Sequence, residues 1–152
     1  MRVWRLCSRR HHVPDGEGAR LSGGRWNLPG TAVIYTSASL SLAVLEILVH
    51  VDSDLLPPDL VILSADIPDR LKIDSLNENQ LPPNWTVYPA PEATQALGTE
   101  WVRRAQTAVL SVPSVVIRHE RNFLLNPAHG EYGKIVWSKP SPFTWDPRLA
   151  KQ

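Results

Sequence analysis

Proline limits the architecture first. Fourteen prolines are spread through the 152 residues, from Pro14 to Pro147. Each lacks a backbone donor, and in a helix interior its ring clashes with the preceding turn. Long helices are disfavoured over most of the chain, and bundles and coiled coils with them. Short strands, short helices and substantial loops remain. The length suits one domain, residues 1–152, with a core large enough to be stable unaided. A 43% hydrophobic and 20% charged composition argues against wholesale disorder. The single cysteine, Cys7, rules out an internal disulfide and fits a reducing, cytoplasmic setting.

Charge and hydropathy narrow the function classes. The net charge is +1, which argues against a nucleic-acid binder. The charge is unevenly spread. Arg2, Arg5, Arg9, Arg10, Arg20 and Arg25 face only Asp15 and Glu17 in the first thirty residues, and the first lysine is Lys72. Arginine offers a planar fork that suits phosphate oxygens, so an arginine-only basic segment points to a phosphate-bearing ligand; the plain alternative is a solvated loop. Met1 to His12 is too charged for a secretion signal. The most apolar run, Thr31 to Val51, carries Glu46 and His50, so it reads as a buried strand and a buried helix, not as a membrane span.

Periodicity and turn residues give the elements. Val3–Leu6 alternates like a strand. Asp15–Gly30 is a glycine-rich loop around SGGRWNLPG, and Ala32–Thr36 is a short strand. A helix starts at Ser37 or Ser39, both good caps, and runs to about Val51. Asp52–Pro58 is a turn and Leu60–Ile67 a strand. Residues 68–92 form a loop with strand pieces. Thr94–Gln106 is a second helix, weakened by Gly98. Val112–Arg118 is strand-like, and Lys134–Ser138 and Phe143–Trp145 are closing strands. The expected class is α+β: a compact domain of short, mostly antiparallel strands with two principal helices.

Glu46 is the most conspicuous residue. Leu40, Ala43, Val44, Ile47, Leu48 and Val51 form an apolar stripe, and Leu42 and Leu45 extend it round the helix. Ser39, Glu46 and His50 fall on one polar strip. A buried carboxylate needs a cation, donors or a wet cleft. Glu46 therefore either pairs with the arginine-rich loop or lines an active site. In that loop, Gly23 and Gly24 mark either a tight turn or a backbone built to approach a ligand. Arg25 can present its guanidinium. Trp26 is a ligand platform or a core residue, and Tyr35 is core with its hydroxyl at the rim or a ring-stacking residue. Ser114 follows Pro113 at a strand start. Without a nucleophile elbow or a Ser-His-Asp pattern it is a hydrogen-bonding residue, not an acyl nucleophile. Asn122 and Asn126 read as residues that hold loop geometry. The five histidines and Cys7 show no metal-ligand spacing, so no metal is expected.

Taken together and in order, a Trp-Arg pair near the N-terminus, GGRWNxxG (Gly23–Gly30), YTS (Tyr35–Ser37), LAxLExLVH (Leu42–His50), VPS (Val112–Ser114) and NFLLNPAH (Asn122–His129) resemble the RES domain. RES proteins are the toxins of RES–Xre toxin–antitoxin pairs. The resemblance runs from Trp4 to about Arg148. It implies a fold similar to ADP-ribosyltransferases of the diphtheria-toxin type. It implies that NAD+ is consumed as a substrate, with no cofactor, by hydrolysis or phosphorolysis of the nicotinamide–ribose bond. The alternatives are ADP-ribosyl transfer to a protein and a non-catalytic binding domain. The family arginine, glutamate, serine and tyrosine match Arg25, Glu46, Ser114 and Tyr35, with Ser111 the neighbouring candidate for the serine. On this reading Arg25 binds the pyrophosphate and can pair with Glu46. Glu46 stabilises the ribosyl cation or positions the nucleophile, Tyr35 stacks on nicotinamide, Ser114 bonds its ribose or amide, and Gly23, Gly24 and Trp26 complete the NAD site. The implied partner is an Xre-type helix-turn-helix antitoxin, and a homodimer within that complex is compatible with the resemblance. Neither nucleic acid nor a membrane is expected to be bound directly.

Overall fold

A computed structural model describes residues 1–52 and 55–149. Eight strands form one sheet: β1 (Arg2–Ser8), β2 (Ile34–Ser37), β3 (Leu60–Asp66), β4 (Ile73–Ser75), β5 (Val109–Pro113), β6 (Arg121–Leu125), β7 (Val136–Trp137) and β8 (Ser141–Pro142). Three helices accompany them: α1 (Glu17–Ser22), α2 (Leu40–Leu48) and α3 (Glu92–Arg104). The strand order is β4-β5-β6-β2-β1-β3-β7, with β8 also paired to β3. Among the described residues only the β4–β5 pair is parallel; the other pairings are antiparallel. The α+β expectation holds, with α2 and α3 as its principal helices.

Side-chain alternation divides the core. Val3, Ile34, Ala65, Val109, Phe123 and Leu125 point to one face of the sheet and pack with Ile67, Leu71 and Ile135. Leu110, Val112 and Leu124 point to the other and pack with Trp26, Trp85 and Trp101. On that second face Leu6 meets Ala43, with Val44 and Ile47 of α2 against them. Tyr35, Ser37 and Asn122 share this face, since Tyr35 stands opposite Leu124 and Ser37 opposite Asn122. Both principal helices therefore cover the face that carries the candidate residues.

Several boundaries move for local reasons. The glycine-rich loop contains α1, which starts after Asp15 accepts a hydrogen bond from the Glu17 N–H at 2.9 Å. Ser39 caps α2 as expected, accepting from Leu42 N at 3.1 Å, but the helix ends at Leu48. It is also less buried than its composition suggests. Only Leu42 and Ala43 are buried, and Val49 is exposed. Part of the expected turn at 52–58 lies outside the described residues, at 53 and 54. The strand expected at Val112–Arg118 is instead β5, which ends at Pro113. Ser114 Oγ accepts from Val116 N (3.1 Å) and Ile117 N (3.0 Å), and those bonds fold the chain out of the sheet. The segment read as a loop around Asn122 is β6, between β2 and β5.

Candidate active site

The loop before β2 is fixed from several sides. Gly23 has φ +70°, which suits glycine. A Cβ on Gly24 would lie 2.5 Å from Tyr35 Oη, so that position has no room for a side chain. Tyr35 Oη accepts from Trp26 N at 3.0 Å and donates to Asn27 Oδ1 at 2.7 Å. The fully buried Asn27 donates to the carbonyls of Ala19, Leu28 and Thr31. Gln95 of α3 donates to Gly24 O at 3.0 Å, and Thr99 Oγ1 accepts from Leu28 N at 2.9 Å. Gly98 lets α3 approach this closely, because a Cβ there would stand 1.9 Å from Trp26 O. The glycine that weakens the helix in the sequence is thus the contact point for the loop.

Arg25 leaves this loop and reaches the segment before α3. Its Nη1 donates to Trp85 O (2.6 Å) and Val87 O (3.0 Å). Burial pulls its guanidinium below the ordinary value, and the nearby Glu46 carboxylate opposes that pull. The two groups are close but form no ion pair within 4.0 Å. The option that Arg25 holds Glu46 by a salt bridge is therefore corrected. Carbonyl oxygens occupy Nη1 and neutral donors hold Glu46. Nε and Nη2 of Arg25 have no hydrogen-bond partner among the described residues.

Glu46 Oε1 accepts from Ser114 Oγ at 2.8 Å and from Asn122 Nδ2 at 2.6 Å. Asn122 Oδ1 in turn accepts from Ser37 Oγ at 2.8 Å, which assigns the amide nitrogen to the Glu46 side. Both bonds converge on Oε1, and Oε2 has no partner among the described residues. Helix α2 thus carries a half-buried carboxylate with one oxygen fixed and one available.

A cleft of about 390 Å³ is lined by Gly23, Gly24, Arg25, Tyr35, Glu46 and Asn122, among others. A second space of about 540 Å³ shares Arg25, Glu46 and His50 with it and is bordered by Val49 and Tyr88. The structure therefore brings Arg25, Tyr35, Glu46 and the two glycines together. It changes two expected contacts. Trp26 borders the cleft but is 2% exposed and packs against Trp85, with ring centroids 6.1 Å apart, so it presents an edge there and not an open platform. Ser114 is 0% exposed, and its one donor and two acceptor positions are all used inside the protein. It holds Glu46 and is not among the residues that line the cleft. Ser111 is on the other side of β5 and accepts from Arg121 Nε at 2.9 Å, so Ser114 is the serine joined to the glutamate.

Asn122 is the site residue that sequence reasoning misassigned. Its signal was the Arg121–Leu125 alternation, which puts Asn122 and Leu124 on one face. Burial pushes the Tyr35 hydroxyl far up, against the pull of the Trp26 N–H. It therefore stays protonated and serves the loop geometry. Among the described residues, no group of three His, Cys, Asp or Glu side chains could hold a metal, and no helix is long and apolar enough to cross a membrane.

Known proteins share this architecture and sequence. The RES domain matches residues 2–146. The Prs ADP-ribosylating toxin of Sphingobium sp. (strain YBL2) is 34% identical over 155 residues, covering 98% of this chain and 96% of that protein. A Toxin Res from Photorhabdus laumondii is 40% identical over 138 residues, covering 90% and 88%. Among solved structures, the M. tuberculosis MbcT–MbcA toxin–antitoxin complex contains a chain with the same fold. The TM-score is 0.77 at 18% identity, covering 94% of this chain and 84% of that one. The chain therefore belongs to the RES domain family of toxins.

Proposed function

We propose that the protein is an NAD+-consuming toxin that cleaves the nicotinamide–ribose bond, depletes the cytoplasmic NAD+ pool and arrests growth. The observation that carries this reading is Glu46. One oxygen is fixed by Ser114 and Asn122, and the other is available at a cleft shared with the spare donors of Arg25. Cleavage of a glycosidic bond passes through an oxocarbenium-like state, and a preorganised carboxylate stabilises such a cation without reorganising. The C1′–N bond breaks, its electron pair leaves with nicotinamide, and nicotinamide departs neutral. Water or phosphate then forms the new C1′–O bond and, when water attacks, gives up a proton. Arg25 Nε and Nη2 are suited to the pyrophosphate, and Tyr35 to the nicotinamide side of the cleft. NAD+ is the substrate and no cofactor is used.

A second reading is favoured by the relative named as an ADP-ribosylating toxin, to which 98% of this chain aligns. In that reading the same cation is captured by a protein side chain. The structural neighbour is part of a toxin–antitoxin complex, which supports an antitoxin partner for this chain, and an Xre-type helix-turn-helix protein is the class we propose. Product analysis separates the two enzymatic readings. Incubation with NAD+ and phosphate should yield ADP-ribose or its 1″-phosphate in equal amount to nicotinamide. Nicotinamide appearing only when a cellular protein fraction is added, with label on one protein, selects transfer instead.

A further inference from the structure

A dinucleotide presents two rings, and the burial of Trp26 leaves one of them without a surface. We propose that Tyr88 is that surface, and that the space between Arg25, His50 and Tyr88 is a subsite for the adenine ring. This rests on NAD+ being the ligand. Tyr88 is 73% exposed and borders the larger, 540 Å³ space that Arg25 and Glu46 also line. The 390 Å³ cleft holds Tyr35 and Asn122 instead. With the reacting ring in the cleft that Tyr35 lines and the phosphates at Arg25, which borders both spaces, the second ring falls in the space that Tyr88 borders.

The platform is rigid at its base. Arg25 Nη1 bonds both Trp85 O and Val87 O, and Trp85 is buried between Trp26 and Arg118, whose guanidinium carbon lies 5.7 Å from its ring centroid. The segment leading into Tyr88 is thus preorganised, which lowers the cost of binding. His50 sits at one side of the tyrosine ring, centroids 5.4 Å apart and tilted by 43°, and most of the ring stays open. Stacking of a base on an aromatic ring tolerates any base, so it suits the non-reacting half of the substrate. The same guanidinium that faces the phosphates also holds the loop of the platform, which couples the two subsites.

The test is calorimetric titration with ADP and, separately, with inorganic pyrophosphate. Tyr88→Ala should weaken ADP about tenfold and leave pyrophosphate unchanged, whereas Tyr88→Phe should bind ADP within about twofold of the parent. ADP binding that is indifferent to Tyr88→Ala overturns the proposal. So does an equal loss of pyrophosphate affinity, which would mean the variant disturbs Arg25. Loss of antitoxin binding alone, with ADP unaffected, would assign the ring to a protein contact and overturn it too. Turnover is not needed for this readout. Tyr88-dependent ADP binding by a protein that releases no nicotinamide would keep the subsite and sink the catalytic reading, and no ADP binding at all would sink the subsite.

Discussion

Removing the Ser114 hydroxyl separates a positioning role from a ligand contact. Ser114 is fully buried and its hydroxyl makes three hydrogen bonds: one donated to Glu46 Oε1 at 2.8 Å and two accepted from Val116 N and Ile117 N. Neutral bonds of this kind are worth about 1 kcal/mol each, and one to a charged group about 2. The two backbone N–H groups are part-buried, so water recovers some of their loss. Ser114→Ala should therefore destabilise the fold by about 2–4 kcal/mol, a large share of the roughly 5–15 kcal/mol of a typical domain. For a chain of this length that lowers the Tm by roughly 10 °C. Urea denaturation and thermal scans measure it. At a temperature where the variant is folded, ADP affinity should stay within about twofold, because the hydroxyl does not reach the cleft. Nicotinamide release should fall about tenfold or more, since Glu46 keeps only the Asn122 bond. A variant as stable as the parent that loses ADP binding would instead place the Ser114 hydroxyl at the ligand.

Three further perturbations have defined outcomes. Asn122→Ala removes the other donor to Oε1, and kcat should fall about tenfold to a hundredfold with KM for NAD+ little changed; Ser37→Ala in that background should add nothing, and additivity of the two would contradict the Ser37–Asn122–Glu46 chain. Gly98→Ala forces a methyl group to 1.9 Å from Trp26 O, so it should cost about 1–3 kcal/mol or more in denaturant titrations and weaken ADP binding by shifting the Arg25 loop. Glu100 accepts from Arg103 and Arg104, and they hold its carboxyl down to about 2 from an ordinary 4.5. A lowered folded value means this contribution is complete above about pH 4.5 and is lost as pH falls towards 2. Glu100→Gln should flatten the Tm-against-pH curve over that window, and the difference should shrink in high salt.

Where local chemistry dominates, the sequence was a good guide. Ser39 caps α2, the helix brings Glu46 to the cleft, and Gly23, with φ +70°, forms the tight turn that was one of its two readings. The proline count correctly disfavoured long helices. The failures come from tertiary partners. Trp26 is made a core residue by Trp85, far along the chain, and nothing local to GGRWN records that contact. Asn122 looked like a loop residue because its two neighbours in the sheet come from other segments. The optional Arg25–Glu46 pair gave way to carbonyl oxygens at 85 and 87 on one side and to neutral donors on the other. Tyr88, inside a proline-rich stretch, carried no periodic signal. Its place at the cleft depends on Arg25 gripping the backbone beside it.

Glu46, fixed at one oxygen and without a partner among the described residues at the other, is the group proposed to drive cleavage of the nicotinamide–ribose bond. The most direct measurement is nicotinamide release from NAD+ by the purified, antitoxin-free protein and its Glu46→Gln variant, with phosphate and a cellular protein fraction each present or absent. The parent should release nicotinamide, and a Glu46→Gln protein that unfolds at about the same temperature and still binds ADP should lose at least about a hundredfold of that activity. Full activity in that folded variant, or no release by the folded parent under any of these conditions, would contradict that role for Glu46.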